Sequence, residues 1–316
     1  MGIPEKVTRD NAGIDLLKFI MAILVITIHT GPLLSYGRVA NGVLTQILAR
    51  IAVPFFFFAA GYFFCRKYAV DGIFRSGYLK KYLLHLGKLY LIWTGVFLLS
   101  LAALNQPMPW EENDWHWYSW GFMGVYGLLW FFLVLLAGIA VWAILYKVIS
   151  RRLRIVLMLI FYIVSCLPGI PPGVGAYAAG AGLVGAGMLL AESPAVLPSC
   201  WYWSAVAGAF LGEALVWYGN ECLGLHLPHG IFWLPGAAAL FAFGMNWTVP
   251  ISGRNALRMR KLSTYLYVTH GIVSLWLQQF IEFDNSLLYF LSVFTASLLF
   301  SAVIAGGVKL LERRSG

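Results

Sequence analysis

The sequence predicts an all-α fold: a polytopic transmembrane bundle of about ten helices, with its N- and C-termini both cytoplasmic. Three observations carry this expectation. Hydrophobic residues make up 60% of the 316 positions, charged residues only 11%, and mean hydropathy is +0.78. Ten apolar stretches are long enough to cross about 30 Å of hydrocarbon at about 1.5 Å per residue. Basic residues gather in alternate connections between those stretches, as cytoplasmic loops do. A soluble domain carries about 25% charged and about 45–50% apolar residues, so lipid must solvate most of this chain. The composition excludes a disordered chain, a disulfide-rich secreted module and a nucleic-acid binder, because the net charge of +9 is carried in short clusters between apolar runs.

The first stretch, 14–34, follows a polar tail (1–13), and Lys18 and His29 interrupt it too early for a cleavable signal. The second, 43–64, is rich in Phe; the third, 79–104, begins within the cluster Arg66, Lys67, Arg75, Lys80 and Lys81. The fourth, 124–149, runs into Lys147, Arg151, Arg152 and Arg154. The fifth and sixth, 153–167 and 175–191, are short and are separated by Pro168, Pro171 and Pro172. The seventh, 201–219, contains Glu213, and the eighth, 232–249, precedes Arg254, Arg258, Arg260 and Lys261. The ninth and tenth, 263–283 and 287–311, flank the acids Glu282 and Asp284. With the N-terminus inside, 18 of the 22 Lys and Arg residues fall on the cytoplasmic side. The whole chain, 1–316, reads as one integral membrane domain with its bundle at 14–311, placed in a cell membrane, the bacterial cytoplasmic membrane being expected.

Ionisable residues inside apolar spans are costly and mark functional candidates. Here they are Lys18, His29, His85, Lys88, Glu213 and His270. Lys18 and His29 are 11 residues apart, about 20° past three full turns, which puts them on one helix face about 16 Å apart. Asp15 lies one turn before Lys18 and is placed to neutralise it. Two readings stay open: Lys18 snorkels to the interface while His29 bonds a neighbouring helix, or His29 serves as a general base on a hydroxyl. His85 and Lys88 extend positive charge inward from the basic side, suiting a phosphorylated cofactor. Glu213 reads as a proton site or as the partner of a buried cation, a structural ion pair included, and His270 either lines the same cavity or is a hydrogen-bonded core histidine.

Other features are less telling. The aromatic segment 105–120 reads as an interfacial belt, with a sugar-stacking platform as the alternative. Gly169, Gly173, Gly175, Gly180, Gly182, Gly185 and Gly187 read as close helix packing rather than a phosphate cradle. Cys65, Cys166, Cys200 and Cys222 are too scattered for a metal site or disulfide framework and read as apolar filler. No metal motif, P-loop or nucleophile elbow is present.

The run GIDLLKFIMAILVITIH at 13–29 resembles the opening helix of the acyltransferase-3 family of integral membrane proteins, whose hallmark is a basic residue, ten intervening residues and a His. IAVPFFFFAAGYF at 51–63 is similar to that family's second helix, and LWFF at 129–132 and YLYVTH at 265–270 look like its later signatures in the same order. The resemblance implies an enzyme that passes an acyl group, usually acetyl, from acyl-CoA (acetyl-CoA) at the cytoplasmic face to a hydroxyl of an extracytoplasmic glycan or lipid-linked saccharide, without a metal. It implies catalytic roles for His29 and Lys18, donor binding by His85 and Lys88, and support from Asp15, Glu213, His270 and Trp130. Leu128 stands where the family often has His. The membrane half of vancomycin-resistance serine racemases is similar too, which keeps open a transporter or export accessory role for a small polar solute such as serine, or for a polysaccharide.

Overall fold

A computed structural model describes residues 11–70, 73–109, 127–192 and 199–314. The first ten residues of the polar tail and the aromatic segment from residue 110 onward lie outside the described residues. Among the described residues ten helical segments follow one another: α1 (Ala12–Thr30), α2 (Arg38–Tyr68), α3 (Ser76–Ala103), α4 (Gly127–Val148), α5 (Arg151–Cys166), α6 (Pro172–Glu192), α7 (Ser199–Leu223), α8 (Trp233–Asn246), α9 (Gly253–Phe280) and α10 (Ser286–Arg314). A two-residue antiparallel ladder, Ala69–Val70 with Ile73–Phe74, turns the chain between α2 and α3.

Among the described residues six segments are long and apolar enough to cross a membrane: α1, α2, α3, α4, α6 and the Ser286–Gly307 portion of α10. Among the others, α5 and α8 are short, 16 and 14 residues. The expected sixth span begins three residues earlier than read from sequence, at Pro172. Proline fits the first helical position, where its missing N–H would have no intrahelical partner.

The glycine-rich α6 is the hub of the bundle. A Cβ on Gly61 would strike the Val184 carbonyl, one on Gly187 the Phe58 carbonyl, and one on Gly182 the Tyr162 backbone. The backbones of α2, α5 and α6 therefore approach as closely as small residues permit. At Gly185 the missing side chain leaves room for the Trp142 ring, whose Nε1–H donates to the Ala181 carbonyl at 2.6 Å. Around this hub, Phe55, Phe58, Tyr62 and Phe63 of α2 gather on Phe241 of α8, with ring centroids 4.8 to 6.1 Å apart.

The two ends of the bundle differ chemically. One holds the starts of α1, α5 and α9; there Arg154 and Arg151 bind Glu192 at 2.8 and 3.3 Å, and Arg260 binds Asp15 at 3.2 Å. At the opposite end, Ser35 and Ser286 exchange backbone N–H and hydroxyl bonds of 3.0 and 2.9 Å, and Asn285 donates to the Tyr36 hydroxyl at 2.8 Å. These contacts join the α1–α2 and α9–α10 turns. Cys65 and Cys166 are buried as expected for apolar filler, whereas Cys200 and Cys222 are exposed.

Candidate active site

His29 sits in the last turn of α1, which ends where Gly31 adopts a left-handed conformation (φ 55°) and donates its N–H to the Thr27 carbonyl. Only a residue without a Cβ enters that conformation cheaply. The imidazole is exposed into a cavity of about 490 Å³ at the end of the bundle remote from the basic clusters.

The facing wall comes from α2, which changes its winding beside the cavity. Val43–Leu48 is π-helical, Ala49–Ile51 is a 3₁₀ turn, and regular α-helix resumes at Ala52. Pro54 accounts for the break, since it offers no N–H to the Arg50 carbonyl four residues back and its ring crowds that carbonyl. Gln46 and Arg50 are presented to the cavity from this segment. Arg50 lies 12 residues into α2. Among the described residues its guanidinium makes no hydrogen bond or ion pair, while its charge acts on both His29 and Glu213.

Trp130, Trp217, Trp233 and Tyr267 supply aromatic surface to the same space. The Trp130 ring lies 6.0 Å from Phe57, and the Tyr267 hydroxyl donates to the Leu128 carbonyl at 2.8 Å. Glu213 lines the cavity too, but both of its oxygens are occupied: the N–H of Gly230 reaches Oε2 at 3.1 Å and that of Phe232 reaches Oε1 at 2.9 Å. Tyr162 fastens the same loop, donating to the Gly230 carbonyl and accepting from the Leu234 N–H at 2.8 Å. Asn220 pins it further out, accepting from the Leu227 N–H at 2.7 Å and donating to His229 Nε2 at 2.8 Å. Glu213 is thus the clamp of a loop that closes the cavity, and its carboxylate also acts on the Arg50 charge in the same cavity.

His270 meets His29, with ring centroids 5.3 Å apart. Lys18 does not: it lies near the basic end, its ammonium 4.6 Å over the Phe63 ring. Met21 and Val25, both buried, intervene on the shared face of α1, so the polar face expected from spacing is interrupted. Asp15 acts on the Lys18 charge, yet its ion pair is with Arg260 of α9. His85 and Lys88 are exposed on α3 and do not line the cavity.

The profile of an acyltransferase domain, that of the acyltransferase-3 family, matches residues 11–306. The chain belongs to the acyltransferase-3 family. It is therefore a multi-pass membrane protein that carries an acyltransferase-3 domain. This acyltransferase-3 chain is also similar to two amino-acid racemases of Enterococcus faecalis. One is 40% identical over 70 residues (22% of this chain, 10% of the relative), the other 29% identical over 155 residues (48% and 22%). A serine/alanine racemase of Enterococcus gallinarum is 34% identical over 106 residues (32% and 14%). The matches thus cover less than a quarter of each curated relative's length. No solved structure matches significantly. Among the described residues no cluster of three or more His, Cys, Asp or Glu side chains is arranged to hold a metal.

Sequence reasoning missed Gln46, Arg50, Trp217, His229 and Tyr267 as cavity residues. Arg50 carried a usable signal, a cation four residues before a proline within an apolar run. The others became visible only when α2, α7 with its following loop, and α9 were packed around one cavity.

Proposed function

We propose that this protein is an O-acyltransferase that moves an acyl group, acetyl being expected, from acyl-CoA to a hydroxyl of an extracytoplasmic or lipid-linked saccharide. The observation that carries the reading is His29: an imidazole open to a cavity at the end of the bundle remote from the basic clusters. The positive-inside rule favours a cytoplasmic basic end, and this supports a cavity open to the exported side, where a glycan acceptor would be met.

In the reaction the acceptor hydroxyl gives its proton to His29 as its oxygen bonds the thioester carbon. The C–S bond then breaks, its electron pair leaves on sulfur, and His29 returns the proton to form the CoA thiol. Negative charge develops on the acyl oxygen meanwhile, and the Arg50 guanidinium is the cavity cation suited to receive it. Aromatic walls suit the apolar faces of a sugar ring. At the cytoplasmic end, Lys18, His85 and Lys88 would steer the anionic arm of the donor, so Lys18 assists binding rather than partnering His29 directly.

The test is transfer of label from radiolabelled acetyl-CoA in membranes containing the protein, with His29→Ala alongside and saccharides extracted as acceptors. Wild-type label in a saccharide, lost in His29→Ala, supports the reading. Absence of CoA binding overturns it and makes solute flux through the same cavity, serine included, the next measurement.

A further inference from the structure

His270 belongs to no step above, yet its setting is specific. It is 1% exposed on α9. Its Nδ1 lies 2.7 Å from the Tyr267 carbonyl and 3.2 Å from the Leu266 carbonyl. Carbonyls only accept, so Nδ1 carries a proton, and in the neutral ring Nε2 is left with a lone pair. That Nε2 is buried and has no hydrogen-bond partner, an arrangement folded proteins rarely leave unanswered. The neighbouring imidazole is His29, its ring centroid 5.3 Å away and its plane tilted by 33°. An N–H···N bond of about 3 Å between two five-membered rings holds their centroids at about this separation. His29 is exposed and lines the cavity.

We propose that His270 is a positioning residue for His29: its Nε2 accepts an N–H from His29, which leaves the other His29 nitrogen with its lone pair toward the acceptor hydroxyl. When His29 takes the hydroxyl proton, the same contact shares the imidazolium charge with a fixed acceptor. Such a contact sets tautomer and orientation together, as a base requires. The proposal rests on the acyltransfer reading for its kinetic consequence, but the contact itself can be tested without it. The other charged and titratable groups facing the pair are Arg50 of α2, Glu213 of α7, His229 of the loop before α8, and Tyr267.

The experiment compares His270→Phe, which keeps an aromatic ring but no acceptor, with His270→Gln, whose amide oxygen can replace Nε2. Detergent-solubilised protein with nitrogen-15-labelled histidine is read by NMR, and His29 among the six histidines is assigned from His29→Gln. In wild type His29 is expected as one neutral tautomer, and in His270→Phe as a mixture. In the transfer assay His270→Phe should lower kcat by about 10- to 100-fold while KM stays within about twofold, and His270→Gln should recover most of the loss. An unchanged His29 signal in His270→Phe overturns the proposal whatever the transfer assay shows. Equal kcat loss in Phe and Gln variants overturns it as well, since a purely structural role predicts that result. If His270→Phe does not fold, His270→Leu takes its place. Failure of wild-type membranes to transfer any acyl group would instead refute the acyltransferase reading, and the NMR comparison would still decide the contact.

Discussion

Asp15 and Arg260 form an ion pair of 3.2 Å that ties the first turn of α1 to α9, with Asp15 only 4% exposed. This pair joins the helix that carries His29 to the helix that carries His270. Breaking a buried pair is costly because one charge is left without compensation. Arg260 is half-exposed, so the cost is reduced: Asp15→Ala is expected to destabilise by roughly 1–3 kcal/mol. Thermal unfolding in detergent of Asp15→Ala, Arg260→Ala and the double variant would show it, the double variant costing less than the sum if the pair is real.

His29→Ala should leave stability nearly unchanged, because its ring is exposed to the cavity and meets the buried core chiefly at His270. Transfer should fall by roughly 100- to 10,000-fold, the range for loss of a general base. A parallel loss of folded protein, measured by size-exclusion recovery, would show instead that the imidazole is structural.

Glu213 separates clamp from charge. Glu213→Ala leaves the N–H groups of Gly230 and Phe232 without their acceptor, costing roughly 1–3 kcal/mol for each that stays dry. Glu213→Gln retains one acceptor oxygen and should recover part of that stability. If Gln matches Ala in melting temperature, the carboxylate charge matters more than the two bonds.

Gly187→Val and Gly61→Val test the hub. Each places a side chain against the backbone of the partner helix, and overpacking of this kind costs roughly 1–3 kcal/mol or more. Recovery of folded, monodisperse protein should drop for both, while Gly77→Ala, where a Cβ meets nothing within 4 Å, should behave as wild type.

Arg50→Ala should lower kcat more than it raises the KM of the acyl donor, since the guanidinium is assigned to charge that develops in the transition state. Arg50→Lys should restore part of the rate. A pure KM effect in steady-state assays would assign Arg50 to ground-state binding.

Much of this protein was legible in one dimension. Segment lengths and hydropathy follow directly from a bilayer's thickness, so the membrane character and order of the helices are visible in the chain, and a buried histidine in an apolar span stands out by its cost. The small residues at Gly180, Gly182, Gly185 and Gly187 likewise announce close packing, because only a missing Cβ allows two helix backbones to meet. Spacing along α1 is also correct as far as it goes: Lys18 and His29 do share a face. A periodicity, however, describes one helix at a time. It could not show that Phe63 would lie under Lys18, that Arg260 would take Asp15, or that the Gly230 and Phe232 amides would occupy Glu213. Those pairings join residues more than 15 positions apart, and they depend on helix register and crossing, which are decided by the packing of whole surfaces. For the same reason the cavity, with Arg50 turned inward by the irregular turn before Pro54 and His270 brought up to His29, exists only in the tertiary structure.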